Sequence, residues 1–151
     1  MISKKLKFCY WNIHGYMSRQ VGIKLRDPDF LKNISEVDFI GLGETHVHDE
    51  ILEHLNIIGF KRIGYKNRKK NLKSKTASGG IALFVKEDIA YLFSHVKTDN
   101  EDTIWAKIKK EHTGIGKDIF IGTCYLSPEK GSKISNICSK LTDDIPKFQE
   151  M

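Results

Sequence analysis

The chain has 151 residues, 40% hydrophobic and 29% charged, with a formal charge of +6, an ordinary composition for one soluble domain with enough apolar material to bury a core. No apolar run approaches the roughly 20 residues needed to cross a bilayer, and three cysteines without close spacing favour reduced thiols over a disulfide framework or a Cys-based zinc site. The start, MISKKLKFCYW, passes from lysines into strand-like residues without a signal-peptide apolar region, so an intracellular protein with no membrane association is expected.

In chain order, LKFCYWNI (6–13) carries apolar and aromatic residues on both alternating faces, which predicts a strand covered on each side and ending at Asn12, His14 and Gly15. Trp11 in this run, and Trp105 later, read as core residues. RDPDFLKNI predicts a short helix, with Asp27 as its cap, Pro28 in the first turn and Phe30, Leu31 and Ile34 on one face. VDFIGLGET predicts a second strand that delivers Glu44 and then His46 to its end. Asp49 and Glu50 suit a following helix start, with Ile51, Leu52 and Leu55 as its buried side.

The period then returns to strands. IIGFKRIGY and GGIALFVK predict a hairpin whose loop is the Lys- and Ser-rich segment between them. YLFSHV, DTIWAKIKK and KDIFIGTCYL predict three further strands, with EHTGIGK joining the last two, and the order suggests a mostly antiparallel meander. Cys9 and Cys124 lie in apolar strand-like runs, where a cysteine behaves as a small buried hydrophobe. From Ser132 onward, Ile134, Ile137, Leu141, Ile145 and Phe148 recur at helical spacing, with a kink or break expected at Pro146.

Charge is concentrated in one place. Residues 61–75 hold eight bases and no acids, which leaves −2 for the rest of the chain. Such a run attracts phosphate backbones by counterion release, although alone it suits a solvated loop better than a nucleic-acid contact.

Three strand ends carry polar groups: Asn12 with His14, Glu44 with His46, and Tyr125 ahead of LSP. A rigid strand can hold such groups for chemistry. A carboxylate there suits a hard cation such as Mg²⁺, an amide can add an oxygen or orient the carboxylate, and a phenol can donate to a phosphoryl oxygen. His46, His48 and Asp49 could instead be read as a zinc site, but the sequence offers no clear further ligand.

YWNIHG, FIGLGETHV, GGIALFVK, DTIWAKI and IFIGTCYLSP occur in an order that resembles the endonuclease/exonuclease/phosphatase superfamily. Their wording is most similar to the endonuclease domain of non-LTR (LINE-type) retrotransposon reverse transcriptases. The resemblance implies an α/β (α+β) fold: the N-terminal half of a four-layered α/β/β/α sandwich, with mostly antiparallel mixed sheets and flanking helices. It implies hydrolysis of phosphodiesters with Mg²⁺ or Mn²⁺, DNA as partner, and the nucleus as a compatible compartment. Asn12 and Glu44 match the metal-site residues and, with Tyr125, which matches the phosphate-contacting tyrosine, form the implied catalytic set. His46 follows the ETH wording of the retroelement group and is read as a substrate contact or a local hydrogen-bonding residue. Arg68, Lys69, Lys70 and Lys73 are the loop bases read as backbone contacts. Asp102 matches an acidic position before IW, read as a turn or strand start.

Two later motifs of that pattern, a Gly-Asp-Phe-Asn-like strand end and a Ser-Asp-His-like segment, do not occur in the sequence. The resemblance therefore implies that residues 1–151 are a partial domain lacking its C-terminal half, with an apolar sheet face left uncovered and with little or no cleavage of their own. A non-catalytic fragment that binds nucleic acid through the basic loop, and a phosphatase or phosphodiesterase of the same superfamily, are the competing readings.

Overall fold

A computed structural model describes residues 5–68, 72–73 and 78–125, together with Ser139 and Thr142. The helix expected from Ser132 onward, with its break at Pro146, lies outside the described residues apart from those two positions, as do Lys69 and Lys70.

The fold is mixed α+β, with more strand than helix. Its first sheet has the order β1-β4-β6-β5, formed by Phe8–Asn12, Phe39–Gly43, Ile81–Lys86 and Phe60–Lys66. β1 runs parallel to β4, and the other pairings are antiparallel, β5 and β6 being the hairpin that flanks the basic segment. A second sheet, β7-β8-β9, is an antiparallel meander of Phe93–Val96, Thr103–Ile108 and Ile119–Cys124. Met17–Ser18 (β2) and Gly22–Ile23 (β3) form a small separate ribbon.

Alternation along the central strands sorts the core into two slabs. Ile40, Leu42, Ala82 and Phe84 point to one face, where they meet Leu25, Val47, Leu55, Ile57 and the helix α1, Pro28–Ile34, through Phe30 and Ile34. Phe39, Ile81, Leu83 and Val85 point to the other face and meet Phe93, Ile104, Ala106 and Ile108 of the second sheet. β4 and β6 are thus buried on both sides. α1 starts as expected: the Asp27 carboxylate accepts from the backbone N–H of Asp29 and Phe30, a cap worth about 1 kcal/mol. Among the described residues no helix is long and apolar enough to cross a membrane.

Several sequence expectations are corrected here. β1 is not covered on each side: it is the edge of the first sheet, and β9, the edge of the second, lies over β4 and β6. Phe8 and Tyr10 stay 51% and 50% exposed, and Trp11, expected in the core, is 40% exposed although its ring tilts against Phe30. Cys124 is exposed rather than buried, because it ends an edge strand, while Cys9 is half-buried against the helical slab. The helix expected from Asp49 is a 3-10 stretch, Asp49–His54, broken at Ile51 by a non-helical conformation. Leu55 is buried beneath it, and Ile51 and Leu52 are half-buried. EHTGIGK contributes a single helical turn, α2 (Lys110–Thr113), closed by Gly114 in the left-handed conformation.

Candidate functional site

Parallel pairing of β1 with β4 fixes where the polar strand ends go. Asn12 stands opposite Gly43, so both chains leave the sheet at the same level. The ladder continues past the strands: Gly15 N–H donates to the Glu44 carbonyl at 2.6 Å and Tyr16 N–H to the Thr45 carbonyl at 2.9 Å. The start of β6 closes the third side, its Gly80 and Gly79 carbonyls accepting from Thr45 and His46 N–H. β9 brings Tyr125 from the second sheet, where the Tyr125 N–H donates to the Asp102 carbonyl at 3.0 Å. The carboxyl ends of parallel strands are the common place for ligand sites in such sheets.

Glu44 is the centre. Its side chain is 16% exposed, and it accepts hydrogen bonds from the Tyr125 hydroxyl at one oxygen and from His14 Nδ1, 2.9 Å away, at the other. The Asn12 side chain lies near enough to add a smaller stabilisation of its charged form. These groups hold its carboxyl below the usual carboxylate range, with Tyr125 the largest cause and His14 next. Glu44 is therefore ionised at neutral pH. An ionised carboxylate only accepts, so His14 carries its proton on Nδ1, and its ring is otherwise largely exposed.

The backbone here is strained. Among the described residues the non-glycine positions with positive φ are His14 at 47°, Glu44 at 51° and His46 at 55°, all in this cluster. Such conformations cost about 1–3 kcal/mol each and concentrate where a site must be held in one geometry. The Lys24 ammonium braces the turn by donating to the Ile13 carbonyl at 2.7 Å and the His14 carbonyl at 3.0 Å. His46 packs against Gly15, and burial pushes its imidazole below the ordinary value, so it is neutral at neutral pH.

Asn12, Glu44 and Tyr125 are thus brought together, although 32 and 81 positions separate Glu44 from the other two along the chain. His46 stands beside them. Arg68 also reaches the rim, where its side chain and the Tyr125 ring both border Gly79. Its guanidinium pairs with Glu101 at 3.0 Å and with buried Asp102. Asp102 therefore anchors Arg68 from the turn just before β8. Lys73 is exposed. His14 was visible in the sequence as part of a strand end but not as a partner of Glu44; its signal was the Asn-x-His spacing, which puts both side chains on one side of the exit. Nothing in the sequence marked Lys24 as a brace.

Mg²⁺ needs few protein oxygens if water and phosphate supply the others. The bonds from Tyr125 and His14 leave Glu44 about two of its roughly four lone-pair directions. The Asn12 carbonyl accepts from His14 N–H at 3.0 Å and keeps its second. The two groups fit a cation that brings its own waters, whereas among the described residues no three His, Cys, Asp or Glu side chains cluster closely enough to hold a metal ion.

No protein-family model matches the chain, and no curated protein matches it.

Glu44 also sets a pH dependence. A carboxyl held below its unfolded value, about 4.3, adds stability that is fully present above that value and is lost as pH falls through the lower, folded one. Wild type is expected to be more stable than Glu44→Gln at pH 7, with the gap closing in acid. Urea denaturation of both at pH 7 and pH 3 checks this, and a constant gap contradicts it.

Proposed function

We propose that the Glu44 cluster is the cation- and phosphate-holding part of a phosphodiester hydrolase site acting on DNA, as in the retroelement endonucleases the sequence resembles. In this reading the helical layer and the two sheets are the α/β/β part of a four-layered sandwich. The observation that carries it is the convergence of Asn12, His14 and Tyr125 on one ionised carboxylate held by strained backbone. A bound Mg²⁺ or Mn²⁺ would stabilise charge on the phosphoryl oxygens and place or activate water. Glu44 and the Asn12 carbonyl would hold it. The Tyr125 hydroxyl lies where it could pass its hydrogen bond from Glu44 to a phosphoryl oxygen.

The basic run supports DNA as the substrate class because both ends of its loop rise from the rim of this site. Arg68 borders Gly79, as the Tyr125 ring does, on one side, and Gly79 and Gly80 bond to the residues just after Glu44 on the other. A backbone bound over Glu44 would pass beside both ends of the loop, at Arg68 and Gly79. With one carboxylate and no second acid among the clustered groups, these residues are expected to bind a phosphodiester well and to cleave it slowly.

The test is duplex-oligonucleotide affinity with Mg²⁺ or with chelator across a salt series, alongside plasmid nicking. Affinity is expected to rise with the cation, with slow nicking that requires it. A triple Lys69→Ala/Lys70→Ala/Lys73→Ala variant is expected to flatten the logarithmic salt slope by up to about 3 while keeping the cation effect, since each lost phosphate contact removes about one. Cation-independent binding that is insensitive to Glu44→Ala sinks the hydrolase reading in favour of a non-catalytic binder.

A further inference from the structure

Tyr10 stands opposite Gly41 in the ladder between β1 and β4, and its ring leans along β4 towards the strand end. A ring carbon lies 3.2 Å from where a Gly41 Cβ would be, and the hydroxyl occupies the space that a Gly43 Cβ would fill. The two glycines of FIGLG thus form a track for the phenol, and the track ends next to Glu44. Tyr125 arrives at the same place from the second sheet, with a ring carbon 3.5 Å from the same Gly43 Cβ position. Two phenols therefore meet over one glycine, immediately before the carboxylate.

We propose that the Tyr10 hydroxyl is a second phenol donor of the Glu44 site, contacting a non-bridging oxygen of the phosphodiester bound there. The inference rests on the phosphodiester reading above and adds a substrate-contacting residue to it. The two phenols differ in what they already hold. Tyr125 gives its hydrogen to Glu44, whereas the Tyr10 hydroxyl makes no hydrogen bond with the described residues. A phenol ordinarily keeps its proton until about pH 10. Burial pushes Tyr10 higher still, with Cys124 and then Glu44 adding to it, so the charge of the carboxylate reaches the hydroxyl without a bond between them.

Packing accounts for the ring but not for the hydroxyl. Phenylalanine would cover Gly41 equally well, since the contact there is made by a ring carbon. The side chain is half exposed, so its polar atom is open to a ligand while the glycine track fixes the ring that carries it. A donor held in place before the substrate arrives costs no reorganisation when it is used. Neutrality also suits the position. An ammonium or guanidinium beside Glu44 would pair with the carboxylate and compete with a cation for it, whereas a phenol can serve a phosphoryl oxygen and leave the charge of Glu44 uncompensated.

The test measures the affinity of a labelled duplex oligonucleotide by fluorescence anisotropy, in Mg²⁺ and in chelator across a salt series, for wild type, Tyr10→Phe and Glu44→Ala, with a urea midpoint for each. Tyr10→Phe is expected to bind about tenfold more weakly in Mg²⁺, the low end for a hydrogen bond to a charged oxygen. Its logarithmic salt slope should match wild type, because a neutral donor releases no counterion. Its urea midpoint should match as well, because the hydroxyl has no partner among the described residues. Glu44→Ala is expected to lose the cation effect that Tyr10→Phe keeps. Equal affinity of Tyr10→Phe and wild type, with the cation effect intact, overturns the inference alone. Weaker binding that comes with a lowered urea midpoint assigns the hydroxyl to packing and overturns it too. Absence of any cation effect in wild type overturns the phosphodiester reading, and the inference falls with it.

Discussion

Gly41→Val is expected to destabilise the chain by about 3 kcal/mol, the upper part of the range for overpacking a core. Gly41 lies mid-way along β4, on the face turned towards the second sheet. A Cβ there would stand 2.5 Å from Thr123 Oγ1, 3.1 Å from Thr123 Cβ and 3.2 Å from the Tyr10 ring. Thr123 is buried and short, so it cannot swing away as a long side chain would. Relief requires β9 to move from β4, which opens the slab built on Leu83, Ile104 and Ala106. It also displaces Tyr125, two residues further on and just past the end of β9, from its bond to Glu44.

Two measurements check this account. The urea midpoint of Gly41→Val should fall without a change in slope. Gly41→Ala should be partly rescued by Thr123→Ala, which removes the nearest atom. That second change costs little alone, because the Thr123 hydroxyl is buried without a hydrogen-bond partner among the described residues. Additive effects of the two substitutions would show that the contact between the sheets is not the cause.

What the sequence made legible follows from how local each signal is. FIGLG reads as a doubly buried strand because every residue is apolar or glycine, and β4 is buried at all five positions. Asp27 with Pro28 reads as a helix start from adjacent residues, and the cap forms as expected. Asn12, Glu44 and Tyr125 could be nominated because each ends an apolar run. Their meeting at one point depends on the parallel pairing of β1 with β4 and on the approach of the second sheet, neither of which is written in any single segment.

The misses share the same cause. The apolar content of β1 resembles that of a covered strand, and only the sheet order shows that it lies at an edge. Left-handed backbone at Glu44 has no residue signature, since glutamate is a poor choice for it. Arg68 read as a cation available to DNA, whereas Asp102 and Glu101, more than thirty residues away, already hold its guanidinium. Part of the charge in the basic run is thus spent within the fold: Arg62 donates to the Leu52 and Leu55 carbonyls, and Lys66 to those of Thr98 and Asn100.

Glu44→Ala is expected to reduce cation-dependent nicking about a hundredfold or more, to the level seen in chelator, while Tyr125→Phe reduces it about tenfold; one electrostatic contact at a reacting centre is commonly worth about 10²–10³. The asymmetry follows from what each side chain leaves behind. Removing the carboxylate would strip a bound cation of the one charged ligand among the clustered groups, and it would delete the bonds that Glu44 accepts from the Tyr125 hydroxyl and His14 Nδ1. Phenylalanine at 125 keeps the ring against Gly79 and Gly43 and deletes only the donor, so Glu44 still has His14 and Asn12. Its carboxyl should then shift upward towards the ordinary range, because Tyr125 is the largest cause of its depression. Nicking by Tyr125→Phe should accordingly fall off at a higher pH than wild type on the acid side, a displacement that general damage to the fold would not produce. If Tyr125→Phe instead matches Glu44→Ala in depth with no displacement of the acid limb, the phenol acts on the phosphate directly and not through the carboxylate. If neither substitution lowers the rate, Glu44 is a structural pivot for three strand ends, and the chemistry lies elsewhere.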